Sequence, residues 1–202
     1  MLLDTASFLV REKAGLGSAL ADTYELFDAD NGAAVGVATE RPTLSVLRWL
    51  LSLNCLPTRI EISEAGRAGT ILTLRKRWSL RRGYFELRDG EDRLMAVLYT
   101  PWFSHLLFKV EGPEGLPLGE LGIELEGAGL ADLVGWRRRL LDGAGIPIGI
   151  IEKEWAGAAR ELLTSADHYR VTVAPDSVGR RDRVALLLAA CLVNDMLRTE
   201  RR

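Results

Sequence analysis

The chain is built from short segments in which apolar and polar residues alternate, separated by turns rich in Asp and Gly. Arg59-Ile-Glu-Ile-Ser63 alternates in this way, and Tyr84-Phe-Glu-Leu-Arg88 alternates and turns at Asp89-Gly90. An Asp-Gly turn between two alternating runs is typical of a β-hairpin, because a type I′ turn needs positive φ at both central residues. The pattern therefore predicts an antiparallel sheet of consecutive hairpins.

Segments of this kind recur from Tyr24 to Val173, and about ten to twelve strands are too many for a flat open sheet. Two apolar runs break the alternation. The first, Thr43–Leu53, suits either a short helix or a pair of buried strands. The second, Val184–Val193, is dominated by Ala and Leu, which favours a helix over about 178–198 with Asp176 or Ser177 as its N-cap.

The second apolar run is too short to cross a membrane, since a spanning helix needs about 20 apolar residues. A helix that is apolar on all sides is instead buried in protein, and a barrel of about a dozen strands is wide enough to enclose one. The sequence therefore predicts a single mainly β domain over residues 1–202, a closed antiparallel barrel of about 12 strands around a buried C-terminal hydrophobic helix. We expect the core to include Trp155, Leu187, Leu188, Cys191 and Leu192.

Composition and charge narrow the function classes. The 202 residues include 26 Lys and Arg against 28 Asp and Glu, a net charge of −2, so the chain has no overall basic excess that would favour nucleic acid. Two cysteines cannot form a disulfide framework, and the first residues lack the pattern of a secretory signal. We therefore expect a cytoplasmic protein.

No group of residues has the spacing that catalysis needs. His105 and His168 are the two histidines, and neither is near a Cys or paired acids at ligand spacing. The serines lack a nucleophile-elbow setting, and no phosphate-binding glycine loop is present. The sequence therefore predicts a protein that is not an enzyme and that uses no cofactor.

Clustered arginines are the strongest functional feature of the sequence. We expect that, if they share the exterior of the barrel, five cations form a phosphate-binding face: Arg75, Arg77, Arg137, Arg139 and Lys153. The alternative is a solvated surface on which these cations pair with nearby Glu and Asp. A third cluster near the start of the helix, Arg180 to Arg183, is either offset by Asp176 and Asp182 or serves a ligand.

The last third of the chain resembles the phospholipid scramblase family. The resemblance rests on four stretches: Trp136-Arg-Arg-Arg139, Gly149-Ile-Ile-Glu-Lys-Glu-Trp-Ala-Gly157, Arg160 to Tyr169, and Ala189 to Met196. The resemblance is close over residues 136–198. Upstream of residue 136 it is limited to the pattern of repeated strands. The family is related to the tubby-like and LURP-one-related proteins, which are twelve-stranded barrels around a C-terminal helix, so the resemblance implies the same fold.

The resemblance also bears on calcium, because family members carry an acidic calcium-binding stretch. Here that stretch is reduced to Asp167 and Asp176, with Ser165 in place of the first acid and Arg170 in place of a small residue. Calcium takes six to eight oxygen ligands, so two acids separated by an arginine predict no calcium or other metal site.

The sequence thus leads to two hypotheses about function. The first is a scramblase-related, non-catalytic protein that binds anionic phospholipid headgroups through its arginine clusters, lies at the periphery of the membrane and takes part in phospholipid scrambling. The alternative is a soluble cytosolic interaction or ligand-binding barrel without lipid-transport activity, whose partner is an unidentified protein. The identity of the lipid or partner and the oligomeric state are left open.

Overall fold

The computed structural model describes residues 1–13, 22–42, 57–78, 83–101, 108–123, 137–154 and 168–199. These residues form twelve strands and one α-helix, α1 (Arg181–Thr199), with short 3-10 turns at Leu2–Asp4 and Pro175–Ser177. The strands are β1 (Ser7–Glu12), β2 (Thr23–Asp28), β3 (Ala34–Pro42), β4 (Thr58–Glu64), β5 (Thr70–Lys76), β6 (Tyr84–Asp89), β7 (Leu94–Tyr99), β8 (Phe108–Glu111), β9 (Pro117–Ile123), β10 (Arg137–Asp142), β11 (Pro147–Glu154) and β12 (His168–Val173).

Every strand pairs antiparallel with its neighbours along the chain, and β1 pairs with β12 to close the barrel. The alternation of each strand decides which side chains point inward. In β5, for example, Leu72 and Leu74 are buried at 2% and 1% exposure, while Arg75 between Leu74 and Lys76 faces outward. The predicted closed antiparallel barrel is therefore confirmed.

The helix α1 fills the barrel. Leu187, Leu188, Cys191 and Leu192 are all fully buried, as predicted, and burial raises the pKa of the Cys191 thiol well above its usual value. The helix begins at Arg181 and not near 178, because Asp176 and Ser177 belong to the separate 3-10 turn and do not cap it. Trp155 and Thr43–Leu53 lie outside the described residues.

One strand residue lets the helix approach the wall closely. Gly149 on β11 faces α1, and a Cβ atom there would collide with the Leu187 side chain and would lie 2.6 Å from the carbonyl oxygen of Thr172 on β12. Glycine at position 149 therefore lets β11 and the helix pack together without a steric clash.

The two ends of the barrel differ in chemistry. The hairpin turns β2–β3, β4–β5, β6–β7, β8–β9 and β10–β11 lie at the end where α1 begins, which we call the turn end. At the other end Asp195 of α1 is 2% exposed and accepts hydrogen bonds from the hydroxyls of Tyr24 (2.7 Å) and Tyr169 (2.6 Å). Burial, and then the charge of Asp195, raise the pKa of Tyr24 well above its usual value.

Candidate anion-binding surface

The predicted headgroup residues are distributed over two sides of the barrel. Arg75 lies on β5 and Arg77 directly follows that strand, whereas Arg137 and Arg139 lie on β10. In the ring of twelve strands β5 and β10 are five positions apart, almost diametrically opposed. The structure therefore does not bring these four arginines together on one face.

Lys153 faces the interior, contrary to its expected place on the exterior. Gly149, Ile151 and Lys153 alternate along β11 on the same side, and Gly149 faces the helix while Ile151 is fully buried. Lys153 is also the register partner of Tyr169, whose hydroxyl reaches Asp195 inside the barrel. The outward positions of this strand end are those of Glu152 and Glu154.

On the other side of the barrel, the strand register aligns three arginines. Arg41 on β3 is directly opposite Arg59 on β4, which is directly opposite Arg75 on β5. Successive strands lie about 4.8 Å apart, so the three side chains form one row across the outer face. Like charges directly opposite each other destabilise a sheet, so a row of this kind needs compensation.

Carboxylates on the same face supply that compensation. Glu61 on β4 contacts both Arg41 (3.4 Å) and Arg59 (3.2 Å), and Asp92 of the β6–β7 turn contacts Arg75 at 2.8 Å. Two arginines therefore share one carboxylate.

A second shared carboxylate lies beside this row. Glu86 on β6 is only 4% exposed and is the register partner of Arg75. Its two oxygens contact Arg77 and, at 2.8 Å, Arg88. The Arg77 side chain remains 63% exposed, so its contact with Glu86 does not remove it from solvent.

We call these residues the β3–β6 basic surface: Arg41, Arg59, Arg75, Arg77 and Arg88, with the contacting carboxylates Glu61, Glu86 and Asp92. Five cations against three acids leave an excess of two positive charges. Trp78 directly follows Arg77 and is 61% exposed. An exposed indole thus follows the excess of guanidinium groups at the end of β5.

The outer face of β10–β12 is more evenly paired. Arg137 is opposite Glu152 and contacts it at 3.2 Å, and Arg170 on β12 contacts Glu154 at 2.7 Å. Arg139 lies on the same outer side of β10 as Arg137. On this side of the barrel, Arg137 and Arg170 therefore pair with nearby glutamates, as in the alternative interpretation of the arginine clusters.

The third arginine cluster, at the start of α1, is also paired. Arg181 donates to both oxygens of Asp4, at 2.9 and 3.0 Å, and these hydrogen bonds lower the pKa of Asp4. Arg183 contacts Asp142 of the β10–β11 turn at 2.9 Å. The pKa of Asp142 is lowered mainly by the hydrogen bond that its carboxylate accepts from the backbone N–H of Ile146. The charge and hydrogen bond of Arg183 lower this pKa further.

Of the two acids of the predicted calcium remnant, the described residues include Asp176. Asp176 lies in the Pro175–Ser177 turn, and Asp167 falls outside the described residues. Within the described ranges, no group of three His, Cys, Asp or Glu side chains is arranged to hold a metal ion.

Sequence reasoning missed Arg41, Arg59 and Arg88. Arg59 lies opposite Arg75 only because the register shifts between Ile62 and Ser63, whereas an equal count back from the Ser63–Thr70 pair would place Arg59 opposite Leu74. Arg41 required the register across β3 and β4, whose connecting residues give no such count.

The fold defines the class of the protein as a closed antiparallel β-barrel that is filled by its own C-terminal helix. No protein-family model, no curated protein and no solved structure matches the chain. Among the described residues, none of the helical segments has the length and apolar character needed to cross a membrane.

Proposed function

We propose that the protein is a scramblase-related, non-catalytic domain that associates with anionic phospholipid headgroups through the β3–β6 basic surface. The observation that carries this proposal is the row of Arg41, Arg59 and Arg75, with Arg77 and Trp78 beside it. The resemblance of residues 136–198 to the scramblase family supports the choice of a phospholipid over other anions.

The energetics favour a weak, reversible association. A cation near an anionic leaflet contributes about 1 kcal/mol, and salt screens this attraction over roughly 10 Å. Guanidinium groups match phosphate oxygens in a bidentate geometry, and an exposed Trp is suited to the membrane interface because its ring is apolar and its N–H is polar. An excess of two charges and one indole therefore predicts binding that is lost as salt rises.

Co-sedimentation with vesicles tests the proposal. We expect the wild type to bind vesicles of phosphatidylcholine with phosphatidylserine at low salt, and to bind phosphatidylcholine alone much less. Arg59→Gln with Arg75→Gln is expected to reduce the binding, whereas the charge-matched control, Arg137→Gln with Arg139→Gln, retains it. Equal binding to both vesicles, or an equal loss in both variants, contradicts the proposal.

Involvement in phospholipid scrambling is a separate part of the proposal. Because α1 is enclosed by the strands, lipid movement would have to use the outer surface of the barrel. A fluorescent-lipid assay on vesicles that contain the purified protein measures this directly. A rate equal to that of protein-free vesicles removes scrambling and leaves headgroup binding intact.

The pairing of the arginines favours a second candidate function, a soluble barrel that binds another protein. Glu61, Glu86 and Asp92 already contact the arginines of the basic surface, which reduces their pull on a membrane. A partner that co-purifies from cytosol in the absence of lipid, together with no vesicle binding, would favour this function.

A further inference from the structure

Three hairpin turns of the barrel share one conformation. In each turn of five residues, the backbone N–H of the first residue donates a hydrogen bond to the carbonyl oxygen of the fifth residue. The three donor–acceptor pairs are Asp89 and Arg93, Gly112 and Leu116 (2.8 Å), and Asp142 and Ile146 (2.8 Å). The fourth residue is left-handed in all three, with φ of 65° at Asp92, 75° at Gly115 and 80° at Gly145. The three turns therefore place their fifth residues equivalently.

The fifth residue is not dictated by this conformation. It is Arg93 in the β6–β7 turn but Leu116 and Ile146 in the β8–β9 and β10–β11 turns, where the aliphatic residues are 62% and 48% exposed. The turn accepts a charged side chain, so folding does not require an exposed Leu or Ile there.

The two aliphatic residues have a third companion at the turn end. Val178, between β12 and α1, is 46% exposed, and β8 to β12 are consecutive neighbours in the barrel. We call Leu116, Ile146 and Val178 the aliphatic turn surface. Exposed apolar residues that cluster on adjacent turns are typical of an interaction site.

A cleft of about 280 Å³ opens beside the aliphatic turn surface. Its apolar lining comes from neighbouring strands and from the first turns of α1: Met95, Pro117, Leu118, Ile148 and Leu186. Sites for drug-sized molecules usually measure about 300–1,000 Å³, so this cleft suits an aliphatic side chain better than a larger ligand. A protruding aliphatic surface thus lies next to a recess that can receive such a surface.

The charges around the cleft argue against an anionic membrane as the occupant. Arg180 and Asp182, whose side chains are 53% and 58% exposed, lie 3.4 Å apart on its rim. A leaflet would gain from the arginine and lose at the aspartate. A second copy related by a two-fold axis that passes between these two side chains would instead place Arg180 of each chain opposite Asp182 of the other.

We propose that the aliphatic turn surface is the interface of a two-fold symmetric dimer of this chain, in which Leu116 and Ile146 of each copy enter the cleft of the other. Such an interface uses the same patch on both copies, so that patch must be self-complementary. The aliphatic turns match the cleft, whose charged lining is balanced: Arg183 contacts Asp142, and Arg180 contacts Asp182.

Sedimentation velocity from about 1 to about 100 μM tests the proposal, a range that covers weak homodimers. We expect a concentration-dependent dimer, whose Kd rises at least about tenfold in Leu116→Arg with Ile146→Arg. Arginine should be tolerated at these positions because Arg93 occupies the equivalent position of the β6–β7 turn. Circular dichroism checks that the variants are folded, and Leu116→Ala with Ile146→Ala is a second, milder variant. A wild type that is monomeric at the highest concentration, or a dimer that both variants leave unchanged, overturns the proposal.

Two further measurements identify the occupant. Val37→Arg, at an apolar residue 40% exposed on the opposite side of the barrel, is the matched control and is expected to leave the Kd unchanged. Arg180→Asp and Asp182→Arg are each expected to weaken the dimer, and the double swap to restore it. The dimer is rejected if Val37→Arg weakens dimerisation as much as the turn variants do. It is also rejected if the protein is a monomer that binds neutral vesicles through Leu116 and Ile146.

Discussion

Tyr24 and Asp195, which are 171 positions apart in the sequence, are joined by a 2.7 Å hydrogen bond inside the barrel. Tyr169 donates to the other oxygen of the same carboxylate at 2.6 Å. The contact ties β2 and β12 to the second half of α1, and thereby fixes how far the helix is inserted. A buried carboxylate that accepts two hydroxyl donors is satisfied as a unit, and each member depends on the others.

Replacement of Asp195 is expected to cost more stability than replacement of either tyrosine. Tyr24→Phe removes one hydrogen bond, at a cost of about 1–2 kcal/mol, whereas Asp195→Leu leaves two buried hydroxyls without their acceptor, at about 2–5 kcal/mol. Urea unfolding measures both, with Asp30→Asn in an exposed turn as the control that changes stability by less than about 0.5 kcal/mol. An Asp195→Leu variant as stable as the wild type would contradict the role of this cluster.

Gly149 and Leu187 are expected to behave as a coupled pair. Gly149→Ala introduces a methyl against the Leu187 side chain and the Thr172 carbonyl, and overpacking of this kind costs about 1–3 kcal/mol. Leu187→Ala alone costs about 2–5 kcal/mol through its cavity. Because the double variant removes the side-chain clash, its free energy of unfolding should exceed the additive expectation.

The control for this pair is Gly112→Ala, because a Cβ atom there meets its nearest neighbour at an ordinary 3.5 Å. It should change the free energy of unfolding by less than about 0.5 kcal/mol. Strict additivity of Gly149→Ala and Leu187→Ala would show that the helix and β11 are not in contact as described.

Glu61 is expected to limit the affinity of the β3–β6 basic surface for anionic vesicles, because its carboxylate contacts both Arg41 and Arg59. Glu61→Gln should therefore raise the affinity for anionic vesicles about fivefold, the equivalent of roughly 1 kcal/mol for one charge near the leaflet. Glu152→Gln, which removes the partner of Arg137 on the other side of the barrel, changes the net charge equally and should have less effect. Equal gains in both variants would point to net charge and not to this surface.

Acid should destabilise the protein partly through Asp142. Its pKa is lowered in the folded state from an ordinary value of 3.8, first by the backbone N–H of Ile146. The unfolded state therefore takes up the proton first as the pH falls, so the stabilisation is present above about pH 4 and is lost below it. Asp142→Asn should flatten the decrease of the urea midpoint between about pH 5 and pH 2.

Asp176→Asn, at an exposed position of the Pro175–Ser177 turn, is the control for the removal of one carboxylate from the same end of the barrel. A decrease that is just as steep in Asp142→Asn would assign the acid sensitivity to other groups, of which Asp4 and Asp89 also have lowered pKa values.

The sequence was sufficient for the architecture because two independent patterns agreed. The hairpin turns required an antiparallel order, and Val184–Val193 could be buried only inside a wide barrel. The start of the helix was placed too early because Asp176 and Ser177 are good capping residues, and in the structure they close a 3-10 turn instead.

The surface was harder to predict because it depends on strand phase and strand order. The segment Pro147–Glu154 has apolar residues on both faces, and the register shifts between Leu140 and Leu141 where it pairs with β10, so alternation alone did not orient Lys153. The separation of Arg75 from Arg137 follows only from the closed order of the strands. Local pattern identified the cations but not their neighbours.

The closure of β1 against β12 has a consequence for the order of events in folding. Most of the apolar lining of the wall is synthesised before the segment that fills it, since α1 follows all twelve strands along the chain. During synthesis, most of the apolar lining is therefore exposed before α1 is available to cover it. Over the same period β1 lacks β12, the strand with which it pairs to close the barrel. Folding should be slow, dominated by contacts between distant residues, and dependent on protection of that lining until the last strand and the helix emerge.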